Sequence, residues 1–587
     1  MTTVNYPDDS IFRSEFREGM RVDWDVPIPM DDGVVLRANV YRPDDEGKYP
    51  VIMSHGPYGK DLHFEEIYKT CWDLMCENHP DVPAGSTNIH QSWEVADPEK
   101  WVPHGYVIIR VDSRGAGRSP GYLEHFGPRE NQDFFDCIEW AGVQPWSNGK
   151  VGLSGISYYA VNQWSVAAMG PKHLAAICPW EGFNDFYREL SYHGGIYSSF
   201  QRHWYDKQIM PIQHGYGDRG FKSRANGELA AGPETLSDEE LKKNRFDLHG
   251  EFSSHPFDDE YYAVRTPDLS KITVPVLSCA NWGGAPLHPR GNFNGYMHSS
   301  SEKKWLEVHG LEHWSLYYTD YGNDLQKRFF DCFLKDDDSG WKDQPRVSLN
   351  VRSEGEKFYL RGEEDWPIPR TEWTKFYLKS DGHLLSPQEQ VGEENISYKS
   401  TGDGVTFVSN PMEKDTEFCG PIASKIWVSS DTQDADLFLV VRVFTPDFKE
   451  VVFHGALDPH TPVASGWLRA SHRALDKDRS TEWAPFHTHK KAEPLTPGEI
   501  YELDIEIHAS GMVIPEGYRV ALSIRGRDYV YPGEPDAGLS NMKNQFTGVG
   551  PFLHDDLDNR PEDVFDNQVT IHIGPDRPSY LLLPIVS

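Results

Sequence analysis

At 587 residues the chain is too long for one ordinary domain, and 38% hydrophobic with 13% aromatic residues is enough to fill sizeable cores, which excludes global disorder. Its 57 Lys and Arg stand against 91 Asp and Glu, a net charge of -34 that repels phosphate backbones and anionic lipid headgroups and so argues against nucleic acid or membrane partners. The 7 cysteines are scattered, with no paired CxxC spacing, so neither a zinc site nor a disulfide framework is expected.

Residues 1–16 are polar and acidic with no apolar leader core, and no run of about 18 apolar residues occurs, so a cytoplasmic protein is expected. Residues 33–41 alternate in polarity and read as an edge strand. Residues 49–54 and 106–111 read as buried strands. Between them, 71–101 has loop character with Pro80, Pro83, Gly85 and Pro98, and loops that long are usually functional. A helical stretch at 134–141 precedes a short strand at 151–153, the turn Gly155-Ile156-Ser157-Tyr158-Tyr159, and a helical pattern at 161–169. Strands follow at 173–179, 274–279 and 304–309. Short apolar strands separated by helices specify a parallel sheet covered on both faces, an α/β class.

Residues 183–268 break this pattern with aromatic, charged and helical signals such as the capping-box-like Ser237-Asp238-Glu239-Glu240. The stretch is expected to form a helical cap between the first part of the core (1–182) and the second (269–344). Residues 345–587 carry strand signals only and are expected to form a β-sandwich of jelly-roll type. The acidic run at 336–340 reads as a solvated turn near that boundary.

A strand entering Gly-x-Ser and a helix leaving it is the setting in which an α/β-hydrolase holds its nucleophile on a sharp elbow, so Ser157 is the candidate nucleophile. Tyr159 replaces the usual second glycine of that turn. A serine nucleophile needs a base, an orienting acid and oxyanion donors. His313, in the loop after the last core strand, is the candidate base, with His309 as the fallback. The Tyr158 amide is one oxyanion donor, and the loop His55-Gly56-Pro57-Tyr58-Gly59-Lys60 supplies the Tyr58 hydroxyl as a second. Arg114 is expected to brace the core by pairing with a carboxylate. His487 and His489 lack further ligands, and residues 554–558 lack the glycine and glutamate of a calcium loop. No metal and no cofactor are expected.

Ser54-His55-Gly56-Pro57-Tyr58, Asp112-Ser113-Arg114-Gly115, Gln144-Pro145-Trp146-Ser147, Gly155-Ile156-Ser157-Tyr158 and the late His313 stand in one order. That order, over nearly the whole chain, resembles the cocaine esterase/X-prolyl dipeptidyl-peptidase superfamily. The resemblance implies Ser157 as nucleophile, His313 as base, and Tyr58 with the Tyr158 amide as oxyanion donors. One departure stands out. The family's triad aspartate follows the strand at 274–279, and here that segment reads Ala280-Asn281-Trp282-Gly283-Gly284-Ala285, with no acid. A histidine without its carboxylate can fall into the wrong tautomer. Glu181, after the strand at 173–179 on the same sheet edge, is the proposed substitute; Asp185, Asp320 and Asp324 are the alternatives.

The expected activity is metal-free hydrolysis of a carboxylic ester or amide through an acyl-enzyme. A small-molecule ester is favoured, in a pocket of Trp93, Trp180, Trp204 and Trp282. The rivals are an X-prolyl dipeptidyl-peptidase, an α-amino acid ester hydrolase or acylase, and a non-catalytic binding protein on a degenerate scaffold. Assembly into a homo-oligomer is compatible with the sequence.

Overall fold

The short apolar runs assemble as a twisted central sheet, seen in a computed structural model that describes residues 11–338, 340–533 and 547–587. Residues 1–10 of the polar N-terminal stretch and Ser339 of the acidic turn lie outside the described residues. The strands are β1 (Arg13–Arg17), β2 (Met20–Pro29), β3 (Val35–Arg42), β4 (Tyr49–Gly56), β5 (Val107–Asp112), β6 (Ser147–Ile156) and β7 (Leu174–Trp180). A two-residue hairpin of β8 (Tyr192–His193) and β9 (Ile196–Tyr197) stands apart from the sheet, before β10 (Val276–Asn281), β11 (Lys304–His309) and β12 (Val347–Ser353). Pairing gives the order β1-β2-β3-β5-β4-β6-β7-β10-β11-β12. Contacts are antiparallel as far as β5 and parallel from β5 to β12.

Side chains alternate across the sheet and fill two cores. Val51, Ile109, Leu153 and Ile177 pack with Phe134 and Ile138 on one face. Ile52, Ile108 and Ala176 pack with Phe329 and Phe330 on the other. All six residues of β5 and of β10 are buried, as strands covered on both faces must be. The parallel strands bring β4, β6, β7, β10 and β11 to one carboxyl edge, where open α/β sheets place their ligands.

Two sequence expectations change here. The stretch at 33–41 is not an edge: β3 lies between β2 and β5, because residues 13–29 fold into a hairpin that pairs along its outer side. The stretch at 71–101 is not all loop, since the helix Lys69–Asn78 enters it and the helix Pro98–Trp101 closes it. Between β7 and β10 the chain forms short helices, including Phe200–Trp204, Asp238–Lys243 and Leu248–Ser254. Ser237 caps the second of these, its side chain accepting from the Glu240 amide while Glu240 reaches back.

Past β12 the chain is strand-rich with a core of its own, in which Phe418, Ile426, Leu439, Ile505 and Leu522 pack together. The long strands Thr416–Ser430 and Tyr501–Ile514 pair antiparallel, with a register shift between Gly420 and Ile422. One loop of this unit returns to the central sheet: the His313 amide donates to the Ala456 carbonyl at 3.1 Å, and the Ala456 amide to the Gly283 carbonyl at 2.8 Å. Among the described residues no helix is long and apolar enough to cross a membrane.

Candidate active site

Ser157 sits where β6 breaks into the helix Tyr158–Met169, with φ 56° and ψ -115°. A non-glycine residue in that region is strained, and such strain collects where a side chain has to be presented. The turn is held by the Ser157 amide donating to the Trp180 carbonyl at 3.0 Å and by the Ala160 and Val161 amides donating to the Ser157 carbonyl. Gly155 has to be small, because a Cβ there would lie 2.4 Å from Tyr159 Cβ and 3.1 Å from the Glu94 carbonyl oxygen. Tyr159 is accommodated because Gly56 gives it room; a Cβ on Gly56 would stand 2.7 Å from Tyr159 Cε1.

Glu181 follows β7 directly, and its amide donates to the Cys279 carbonyl at 2.8 Å, tying it to β10. Its Oε2 accepts from His313 Nδ1 at 2.7 Å. Its Oε1 accepts from His309 Nε2 and from Asn281 Nδ2, each at 3.2 Å. His309 Nδ1 donates in turn to Glu307 Oε2 at 2.7 Å, and His313 Nε2 to Glu94 Oε1 at 3.1 Å. Carboxylates and imidazoles thus alternate in one buried chain: Glu307, His309, Glu181, His313, Glu94.

Burial opposes charge throughout this chain, and the partners decide the outcome. Burial pushes Glu181 up, but His313 and His309 outweigh it and hold the carboxyl at about 2. Burial pushes His313 down, but Glu181 and then Glu94 raise it to about 10. His309 is raised to about 9 against its burial by Glu307 and Glu181. Glu94 goes the other way: burial lifts it to about 7, and His313 only partly resists.

The other acids weighed from sequence are elsewhere. Asp185 pairs with Arg188 at 3.0 Å. Asp320 and Asp324 are exposed, and Asp324 takes Arg328 at 2.8 Å. The glycines in the family's acid position have a steric reading. A Cβ on Gly283 would stand 2.6 Å from the His454 carbonyl oxygen and 2.7 Å from Gly455 Cα, so the returning loop leaves no room for a side chain. A Cβ on Gly284 would point to within 3.6 Å of Glu181 Oε2, where a carboxylate already stands.

The expected Ser157–His313 hydrogen bond is not made in this arrangement. Glu94 occupies His313 Nε2, and Ser157 Oγ bonds His288 Nε2 at 3.2 Å instead. The His288 ring lies parallel to that of His313, centroids 5.1 Å apart and planes 7° apart, and it also stacks with Phe183 at 6.0 Å. Sequence reasoning missed both His288 and Glu94. The available signals were faint: Glu94 lies in the loop-rich insertion, and His288 lies just past the segment where the family's acid is missing.

For the oxyanion, Trp204 Nε1 donates to Tyr58 Oη at 2.9 Å, which leaves the phenol's own proton free for another acceptor. Burial and the nearby Glu94 charge push the Tyr58 phenol well above its usual range, so it stays a donor. The Tyr158 amide is one of the N–H groups that a helix's first turn leaves without an intrahelical acceptor. The Tyr158 ring is buried, its hydroxyl donating to Glu130 at 2.7 Å.

These groups face one cavity, about 590 Å³ with open solvent at its mouth included, whose walls include Trp93, Phe183, Trp204, Leu457 and Phe552. Two expected pocket residues do not reach it. Trp180 is buried against His309 and Tyr317. Trp282 is turned toward β12, its Nε1 donating to the Asn350 carbonyl at 2.9 Å and its ring packing on Phe293 and Trp366. Arg114 pairs with Asp133 at 2.7 Å and Asp32 at 2.8 Å. Among the described residues no group of three or more His, Cys, Asp or Glu side chains is placed to hold a metal ion.

Residues 32–315 match the family model of X-Pro dipeptidyl-peptidase (S15 family), and residues 339–582 match that of the X-Pro dipeptidyl-peptidase C-terminal non-catalytic domain. The chain is 24% identical to the cocaine esterase of Rhodococcus sp. (strain MB1 Bresler), over 96% of this chain and 98% of that one. It is 20% identical to a putative Xaa-Pro dipeptidyl-peptidase of Bacillus anthracis, over 89% of this chain and 85% of the relative. A solved structure of a CocE/NonD family hydrolase from Staphylococcus aureus superposes with a TM-score of 0.83 at 33% identity, covering 97% of this chain and 94% of its own.

Proposed function

We propose that this chain, which belongs to the cocaine esterase/X-prolyl dipeptidyl-peptidase superfamily of α/β-hydrolases, is a carboxylesterase for bulky apolar esters. It is a serine hydrolase acting on ester or amide bonds. Ser157 attacks the carbonyl carbon, and His313, oriented by Glu181, takes the hydroxyl proton and returns it to the leaving group. Tyr58 and the Tyr158 amide hold the oxyanion. His313 is assigned as base over His288 because it alone carries a carboxylate on its far nitrogen. Resting geometry does not exclude a base whose catalytic hydrogen bond forms only with substrate. We take the C-terminal strands as a jelly roll and the setting as cytoplasmic.

The observation that carries the ester reading is the cavity wall. It is mostly aromatic and aliphatic, and its one carboxylate, Glu94, is already engaged with His313. One observation favours a second reading, hydrolysis of amino-acyl substrates: Glu94 Oε2 is buried without a hydrogen-bond partner and stands ready for a substrate ammonium. A panel comparing kcat/KM for aryl and alkyl p-nitrophenyl esters with aminoacyl-proline p-nitroanilides decides. Faster turnover of the esters is expected, and preference for the anilides overturns the esterase assignment.

A further inference from the structure

Among the described residues His288 is the one imidazole in direct hydrogen bond with Ser157, Nε2 to Oγ at 3.2 Å, and it is buried with 3% exposure. Its ring stacks with those of Phe183 and His313. Its other nitrogen, Nδ1, is buried without a hydrogen-bond partner. Burial, reinforced by the positive charge of His313, holds this ring well below the usual histidine range, while Glu181 only partly opposes them, so it is neutral at working pH.

A neutral imidazole carries one N–H and one lone pair. A proton on Nδ1 would be a buried donor with nothing to bond, whereas a proton on Nε2 has Ser157 Oγ as acceptor. The second tautomer is therefore favoured by the difference between a made and an unmade buried donor. In that tautomer His288 has no lone pair facing the serine and no carboxylate behind it, so it does not accept the serine's proton.

Resting on the reading of Ser157 as nucleophile and His313 as base, we propose that His288 is a further catalytic residue, a fixed Nε2–H donor that stabilises negative charge on Ser157 Oγ. In acylation the Oγ–H proton passes to His313 Nε2 as the Oγ–C bond forms; the ester C–O bond then breaks and that proton leaves on the alcohol. In deacylation water gives a proton to His313 and its oxygen joins the acyl carbon; the Oγ–C bond breaks and the proton returns to Oγ. Both steps pass through an Oγ with alkoxide character, and a hydrogen bond to a charged oxygen is roughly twice as strong as one to a neutral oxygen. The His288 bond is thus strongest in the two transition states, which is the condition for lowering them. His288 keeps its own proton throughout.

The test is His288→Phe, which preserves the ring stack and removes the N–H, read against His313→Ala with concentrations normalised by active-site titration. His288→Phe is expected to lower kcat about 10- to 100-fold, the range of one hydrogen bond to a charged group, with KM and the pH limbs of kcat/KM unmoved. His288→Gln, which keeps an N–H near the Nε2 position, is expected to recover part of the loss. Wild-type kcat in His288→Phe overturns the donor role and leaves the base assignment standing. Loss of activity and of the acidic pH limb in His288→Phe, with His313→Ala still active, overturns both and makes His288 the base.

Discussion

At the scale of single residues, burial and neighbouring charges pull the groups of the site in opposite directions, Glu94 and Tyr58 toward the neutral form and His313 toward the charged one. Tyr58 is kept neutral by burial while Trp204 takes one of its oxygen's lone pairs, so its single proton is aimed by elimination. Tyr58→Phe is therefore expected to lower kcat about 10²–10³-fold with little change in KM, as removal of one oxyanion donor does. A change confined to KM would make Tyr58 a packing residue. Glu94 has a signed effect on pH dependence. His313 must be neutral to accept a proton, and two carboxylates, Glu181 and Glu94, hold it charged up to about 10 against its burial. Removing one of those negative charges makes the imidazolium less stable. In Glu94→Gln the rising limb of kcat/KM is expected to move to lower pH, and an unmoved or upward-shifted limb in a pH–rate series contradicts the assignment.

At the scale of elements, the site is a meeting of loops at the carboxyl edge of β6, β7, β10 and β11, and the acid has moved by one strand. In the proposed triad Glu181, just after β7, takes the part of the family's aspartate after β10, where Gly283 backs onto the 454–455 loop and leaves no room for a side chain. In a Glu181→Gln background, Gly284→Asp is expected to restore part of the lost kcat, since its side chain would start 3.6 Å from the Glu181 carboxylate position. Gly283→Asp is expected to restore nothing and to lower the melting temperature. Equal rescue by both would remove the steric explanation. The nearness of Glu181 to His313 was legible in the sequence as one of several options, with Asp185, Asp320 and Asp324 left open, because loops that leave one edge of a parallel sheet lie near one another. Glu94 and His288 were not legible. Glu94 reaches His313 across 219 residues of chain through an irregular insertion whose path no periodicity encodes. The interior place of β3 was hidden for a related reason: its outer partner is a hairpin whose residues lack the apolar run of a buried strand.

At the scale of the whole molecule, the C-terminal unit completes the site. Ala456 bridges His313 and Gly283 by two backbone hydrogen bonds, and Leu457 and Phe552 line the cavity that Ser157 faces. Phe552 packs on Phe200 of the insertion, centroids 4.9 Å apart, so three segments distant in sequence share one wall. Phe552→Ala is expected to lower kcat/KM for aryl esters about tenfold, the scale of lost apolar contact in a binding pocket, and to leave acetyl esters within about twofold. An equal loss on both would assign Phe552 to stability alone.

In the proposed mechanism a glutamate just after β7 completes the triad in place of an absent aspartate. The most direct test is kcat of Glu181→Gln with a saturating p-nitrophenyl ester, on protein shown to be folded. Gln cannot orient the His313 ring as the carboxylate does, and loss of the triad acid in a serine protease costs about 10⁴-fold in kcat. A loss of several powers of ten with KM nearly unchanged is the expected result; a kcat within about tenfold of wild type contradicts it, being far short of that loss.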